Sequence, residues 1–231
     1  MKYEMVYFDL DGTLLDFAKA ERESIGAVLE EFGIPLSNDQ IQTYVEINKK
    51  WWRFLSKGKA SKERIVVARF EEFLSWLGHP EISPLDVSRR YLEKLSNCAY
   101  FLPGAEEFLT KMKALNVRMA ALTNGVQSVQ ERRVKLLGLE RFFEFMITSE
   151  LVGKPKPDPA MFLLAARRSG VPLSRSVYVG DDHVVDYLAA KNAGTDFILL
   201  DLDSVHSSFD GRRVSSYEEL FNLLICESIS S

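Results

Sequence analysis

Asp9 and Asp11 stand two residues apart at the end of the apolar run Met5-Val6-Tyr7-Phe8, and Gly12-Thr13 follow them. On extended backbone that spacing points both carboxylates the same way, so one can attack an electrophile while the other handles a proton. Polar residues recur at the ends of later apolar runs: Thr123-Asn124 after Val117 to Leu122, and Asp181-Asp182 after Ser176 to Val179. Lys154 lies in the loop from Gly153 to Pro159. Crowded carboxylates repel unless a cation or a proton intervenes, and Mg²⁺ suits oxygen ligands. Such a cation, with Lys154 and the Thr123 hydroxyl, would draw in a phosphoryl group that Asp9 could attack. Two blander readings are weaker. Asp11-Gly12 is a hairpin signal, but Leu14 to Ala18 do not alternate. A calcium loop needs a closing Glu where this chain has Ala20.

The elements that must bring these residues together can be read from the periodicity. Val6, Tyr7 and Phe8 run without polar interruption, as a strand buried on both faces does. From Glu21 to about Ala99 only helical spacing appears. Ile25, Val28, Leu29 and Phe32 form the first helix, ended by Gly33 to Pro35. A second is capped at Asn38 or Asp39, a third opens at Ser61, and a fourth starts at Ser83-Pro84. After Pro103-Gly104 strands alternate with helices, with Phe197 to Leu200 as the last core strand and a final helix from the Ser216 to Glu219 capping box. The expected fold is α/β: a Rossmann-like parallel-sheet core with helices on both faces, residues 1–16 and 100–231, and an inserted all-helical domain, residues 17–99. Its strand ends share one edge, where ligands bind in open α/β sheets. Ser228 to Ser231 is expected to fray.

Composition narrows the function classes. The 46% hydrophobic and 27% charged content is that of an ordinary globular chain. A net charge of −4 with scattered Lys and Arg argues against nucleic-acid binding. No apolar run is long enough to span a bilayer and no leader is recognisable, so a cytoplasmic location is expected. Cys98 and Cys226 have neither metal nor redox spacing and are expected to be unpaired thiols. His183 follows the Asp pair without a second His at ligand spacing, and Lys156, between two prolines, reads as a solvated loop charge.

Four motifs in order, Phe8-Asp9-Leu10-Asp11-Gly12-Thr13, Leu122-Thr123-Asn124-Gly125, Lys154-Pro155-Lys156-Pro157 and Gly180-Asp181-Asp182 with Asp186, resemble those of the haloacid dehalogenase superfamily of phosphohydrolases. The resemblance implies that Asp9 is the nucleophile and Asp11 the acid/base. It also implies that Asp9, the Asp11 carbonyl and Asp181 hold Mg²⁺, or Mn²⁺ in its place. Thr123 and Asn124 would bind phosphate, and Lys154 would bind phosphate and orient Asp9. Asp186, and less clearly Asp182, would support the metal from behind. The helical insert resembles the cap of the family's first subclass, and Val45 to Trp52 with Arg69-Phe70-Glu71 resembles the cap of bacterial pyrimidine and noncanonical nucleoside 5′-monophosphatases. Asn48, Trp52 and Arg69 are the cap residues expected at the substrate, although an aromatic such as Trp51, Trp52 or Phe70 more often packs between helices.

The expected activity is that of a Mg²⁺-dependent phosphomonoesterase for a small phosphorylated metabolite, a nucleoside 5′-monophosphate first and a sugar phosphate second. The enzyme would act as a monomer or homodimer without a nucleic-acid or membrane partner. A β-phosphoglucomutase-like mutase would use the same Asp pair. Lys49 or Lys50 would be needed for a phosphonatase imine, and a dehalogenase needs neither Asp11 nor a metal. The non-enzyme alternative is a regulatory binding protein on the same scaffold.

Overall fold

The computed structural model describes residues 2–226, and the chain divides into two compact units, Met1–Asp16 with Tyr100–Ser231 and Phe17–Ala99. The larger unit is built on a six-stranded parallel sheet. Its strands are β1 (Met5–Phe8), β2 (Met119–Thr123), β3 (Met146–Thr148), β4 (Ser176–Gly180), β5 (Asp196–Leu200) and β6 (Arg213–Val214), in the order β3-β2-β1-β4-β5-β6. β1 is thus central, which is why all four of its side chains are apolar and fully buried. Val6 and Phe8 enter one apolar cluster with Val177 and Val179, while Met5 and Tyr7 enter another with Tyr178 and Phe162. This two-sided burial with period two is what a parallel strand covered on both faces requires.

The smaller unit holds α1 (Phe17–Glu31), α2 (Asn38–Ser56), α3 (Lys62–Leu77) and α4 (Pro84–Asn97). Its interior is aromatic: Tyr44 stacks on Phe70 with ring centroids 5.5 Å apart and also meets Phe73 and Tyr91. Phe70 is therefore a packing residue within this unit. The start of α2 differs from expectation. Ser37, rather than Asn38 or Asp39, caps it, because Ser37 and Gln40 exchange side-chain and backbone hydrogen bonds in a capping box.

In the larger unit the connecting helices are α5 (Ala105–Ala114), α6 (Gln127–Leu136), α7 (Ser149–Val152), α8 (Ala160–Ser169), α9 (Val185–Ala193) and α10 (Tyr217–Cys226). At the head of α10 Ser216 accepts from the Glu219 N–H, but the Glu219 carboxylate reaches back to Ser215. β6 is a strand beyond the one read as last. Two residues are too few to show a pattern, and the strand is held from outside: Asp201 N–H donates to the Val214 carbonyl at 2.8 Å and the Asp201 carboxylate accepts from Arg213 at 3.0 Å. Among the described residues no helix is long and apolar enough to cross a membrane. Cys98 is half-buried and in no disulfide among the described residues; the Cys226 side chain and the Ser228 to Ser231 tail lie outside the described residues.

The register aligns the polar strand ends. Phe8 pairs with Ala121 on one side and Val179 on the other, so Asp9, Thr123 and Asp181 emerge from neighbouring strands at the same sheet edge.

Candidate active site

Asp9 follows β1 directly, its N–H bonded to the Val179 carbonyl at 2.9 Å, and only 7% of the residue is exposed. Gly12 turns the chain immediately afterwards with φ of +83°, and a Cβ there would lie 2.3 Å from an Asp181 carboxylate oxygen. Both the left-handed backbone and the close approach of Asp181 demand glycine at this position. Thr13 donates its hydroxyl to Asp181 Oδ1 at 3.0 Å. Asp9, Asp181 and Asp186 each bring a carboxylate oxygen within 4.8 Å of the others.

The cation facing this group is Lys156, which corrects the assignment of Lys154. Lys156 Nζ lies 2.6 Å from Asp9 Oδ1, 2.8 Å from Asp186 Oδ1 and 2.7 Å from the Tyr178 hydroxyl, with 3% of the residue exposed. Lys154 is exposed and pairs only loosely with Asp158 at 3.5 Å. Lys156 is thus no solvated loop charge. Asn124 explains the choice: its side chain accepts from the Lys156 N–H at 2.8 Å and donates to the Lys156 carbonyl at 3.1 Å. That two-point clamp turns Lys156 inward. It uses the oxygen and one of the two N–H bonds of the carboxamide expected to bind phosphate.

Electrostatics favour an added positive charge. Burial pushes Asp9 up to about 7, opposed by Lys156 and reinforced by Asp186. Asp181 is driven well above the carboxylate range by burial, then by the charges of Asp186 and Asp9. Lys156 is raised above its ordinary value because Asp186 and Asp9 outweigh its desolvation, so it stays cationic. One ammonium beside three carboxylates, two of them on buried residues, leaves negative charge to be balanced by a proton or a further cation. The donors are all hard oxygens, which fits Mg²⁺.

Thr123, at the neighbouring strand end, is buried, and its hydroxyl accepts from the Gly125 N–H at 3.0 Å and Gln130 Nε2 at 3.2 Å, so its own proton can be given to an anion. Asp186 is held by Lys156, by the Tyr178 hydroxyl at 3.2 Å and by the Asp182 N–H at 3.3 Å. Asp182 is exposed and accepts from the Val184 and Val185 N–H groups at 2.8 Å, fastening the start of α9. The His183 ring lies tilted against that of His206 with centroids 4.1 Å apart. Asp11 is gripped by Gln130 and Arg133, two residues that sequence reasoning did not single out.

Asn48 and Arg69 are each 2% exposed, inside the helical unit. Arg69 Nη1 donates to Asn48 Oδ1 at 2.7 Å and Asn48 Nδ2 donates to Glu21 Oε1 at 2.5 Å. Trp52 is half-buried, and Trp51 donates its indole N–H to Glu72 at 3.0 Å. Burial pushes Glu21 from 4.5 up to about 7, against the pull of the Asn48 hydrogen bond and Arg69. The folded state therefore prefers the neutral carboxyl. That preference contributes fully to stability below about 4.5 and is lost as pH rises through about 7. Glu21→Gln keeps an acceptor for Asn48 and removes the ionisation. It is expected to gain on the order of 1–3 kcal/mol over the native chain at pH 8 and nothing at pH 4, read from thermal melts at both pH values.

A family profile described as haloacid dehalogenase-like hydrolase matches residues 3–194. The pyrimidine 5′-nucleotidase PynA of Streptococcus pneumoniae is 28% identical over 97% of this chain and 96% of its own length. The pyrimidine 5′-nucleotidase YjjG of Escherichia coli is 28% identical over 84% of each chain. The crystal structure of the HAD-hydrolase YfnB from Bacillus subtilis bound to magnesium is similar with a TM-score of 0.89 at 26% identity, covering 97% of this chain and 99% of that one.

Proposed function

The chain belongs to the haloacid dehalogenase-like hydrolase family, and from that premise we propose that it is a Mg²⁺-dependent phosphomonoesterase acting on nucleoside 5′-monophosphates through an aspartyl-phosphate. The observation that carries the chemistry is the 2.6 Å contact of Lys156 Nζ with Asp9 Oδ1 inside a group of three carboxylates. The ammonium favours the ionised form of Asp9 against burial, which favours the acid, and it fixes the direction of the carboxylate. The nucleotide preference is supported by the two pyrimidine 5′-nucleotidases among the relatives.

In the first step an Asp9 carboxylate oxygen attacks phosphorus, the bond from phosphorus to the ester oxygen breaks, and Asp11 gives that oxygen a proton as the alcohol leaves. In the second, water attacks phosphorus and passes its proton to Asp11, the bond to Asp9 breaks, and inorganic phosphate departs. Thr123 donates to a phosphoryl oxygen. Lys156 holds Asp9 in line and offsets charge in both steps. Asp9, Asp181 and the Asp11 carbonyl, with Asp186 beside them, would hold Mg²⁺, which supplies positive charge against the phosphoryl oxygens.

The test is a panel of pyrimidine and purine nucleoside 5′-monophosphates and sugar phosphates, assayed for phosphate release with and without EDTA. Pyrimidine nucleotides are expected to exceed sugar phosphates by about tenfold or more in kcat/KM. EDTA is expected to abolish release and excess Mg²⁺ to restore it. Faster turnover of sugar phosphates overturns the substrate class, and EDTA-resistant turnover overturns the metal requirement.

A further inference from the structure

Gln130 and Arg133 have no part in the two chemical steps, yet both are shut inside the protein beside the acid/base. Arg133 is fully buried and Gln130 is 1% exposed. They lie three residues apart on α6, the spacing that puts two side chains on one helix face. From that face Arg133 Nη1 donates to Asp11 Oδ1 at 2.5 Å, and Gln130 Nε2 donates to Asp11 Oδ2 at 2.6 Å. Arg133 Nη1 also donates to Gln130 Oε1 at 3.3 Å, and Gln130 Nε2 to Thr123 Oγ1 at 3.2 Å. Both oxygens of one carboxylate are thus engaged, and the same two side chains connect it to the threonine of the neighbouring strand end.

Stability alone is a poor reason for this arrangement. A buried guanidinium loses its hydration, and a buried ion pair is often no better than packed apolar residues of similar volume. Val129 and Val134, which flank the pair in the buried set of α6, show that an apolar residue suits this face. The chain is also shaped to admit Gln130: a Cβ at residue 125 would stand 2.2 Å from Gln130 Nε2, so Gly125 leaves the space through which the amide reaches Asp11 and Thr123. The Asp11 carboxylate is not one of the three whose oxygens lie within 4.8 Å of one another. Its position is set from the α6 side.

We propose that Arg133 and Gln130 are positioning residues for Asp11, gripping its two oxygens so that proton transfer to the leaving group starts from one defined place. The inference rests on the acid/base role proposed for Asp11. Its signature is a split by leaving group. A nucleoside alkoxide needs a proton as it departs, whereas p-nitrophenolate does not. Arg133→Met is expected to lower kcat for a nucleoside 5′-monophosphate by about 30-fold or more, a good part of what general acid catalysis supplies, while p-nitrophenyl phosphate turnover changes by less than about threefold. Arg133→Lys, which keeps the charge and a donor, is expected to recover part of the loss. Gln130→Leu is expected to widen the ratio between the two substrates in the same direction.

Asp11→Asn serves as the reference. If Asp11→Asn splits the substrates and neither Arg133→Met nor Gln130→Leu does, the positioning role is wrong and the acid/base reading stands. If Asp11→Asn itself shows no split, the acid/base reading is wrong, and a crystal structure of Gln130→Leu or Arg133→Lys decides the grip: a displaced Asp11 carboxylate supports it and an unmoved one overturns it. Equal loss on both substrates in folded Arg133→Met protein means a structural role and also overturns it. Should Arg133→Met fail to fold, Arg133→Lys and Gln130→Leu carry the comparison.

Discussion

Asp9→Asn is expected to abolish phosphate release, with a loss of at least about 10⁴-fold, and to leave no acid-stable trace of phosphoenzyme after rapid quenching with labelled substrate. The carboxamide has nearly the shape of the carboxylate, so the packing around β1 is retained. Its oxygen carries no charge and its nitrogen is no nucleophile. The substitution also removes a charge that, after burial, helps to raise Asp181. Lys156 keeps its contact with Asp186 at 2.8 Å, so the ammonium is not stranded. The melting temperature is therefore expected to stay close to that of the native chain, separating loss of chemistry from loss of fold. Undiminished Mg²⁺-dependent hydrolysis by Asp9→Asn would remove the nucleophile from the mechanism.

Lys156→Met is expected to cut turnover by about 10²- to 10³-fold, the range found when one electrostatic contact to a reacting group is deleted. It is also expected to destabilise the protein, because Asp9 and Asp186 lose the charge between them. Breaking a buried pair from one side costs on the order of 3–5 kcal/mol. A divalent cation that binds the folded carboxylates should return part of that stability. Lys156→Arg is expected to be a poor substitute, since the planar guanidinium must enter the space that a compact ammonium shares with the Tyr178 hydroxyl at 2.7 Å. The control is Lys154→Met. Lys154 is exposed and its ammonium lies 3.5 Å from the Asp158 carboxylate, so its loss is expected to change kcat by less than about twofold and stability by less than about 0.5 kcal/mol. Kinetics and melts on the two variants side by side check the assignment. A crippled Lys154→Met beside a healthy Lys156→Met reverses it.

The two lysines show where sequence reasoning stops. In Lys154-Pro155-Lys156-Pro157 both candidates have the same type and both precede proline, so local chemistry does not separate them. The separation is made by Asn124, 32 residues away in sequence, which binds both backbone groups of Lys156. The start of α2 is a smaller case: Ser37, Asn38 and Asp39 are all good caps, and the reciprocal bond with Gln40 selects the first. β6 left no pattern because its pairing is imposed by Leu199, Leu200 and Asp201.

Gln130 and Arg133 did leave a signal. They sit between Val129 and Val134 on the buried face of α6, where polar side chains need partners. The partner, Asp11, is more than a hundred residues away along the chain. Asn48 and Arg69 illustrate the converse. A motif likeness marked them, and the fold of α1, α2 and α3 turns them toward each other and Glu21.

The five longer strands and their principal connecting helices, the order of the motifs and the gathering of Asp9, Thr123 and Asp181 at one sheet edge were determined by the sequence alone, because they result from apolar periodicity and from the geometry of a parallel sheet. The tertiary structure decided which cation meets Asp9, what holds Asp11 and where Asn124 spends its amide. Those are contacts between side chains far apart in sequence, governed by distances of 2.5–3.1 Å that no local pattern of residue types encodes.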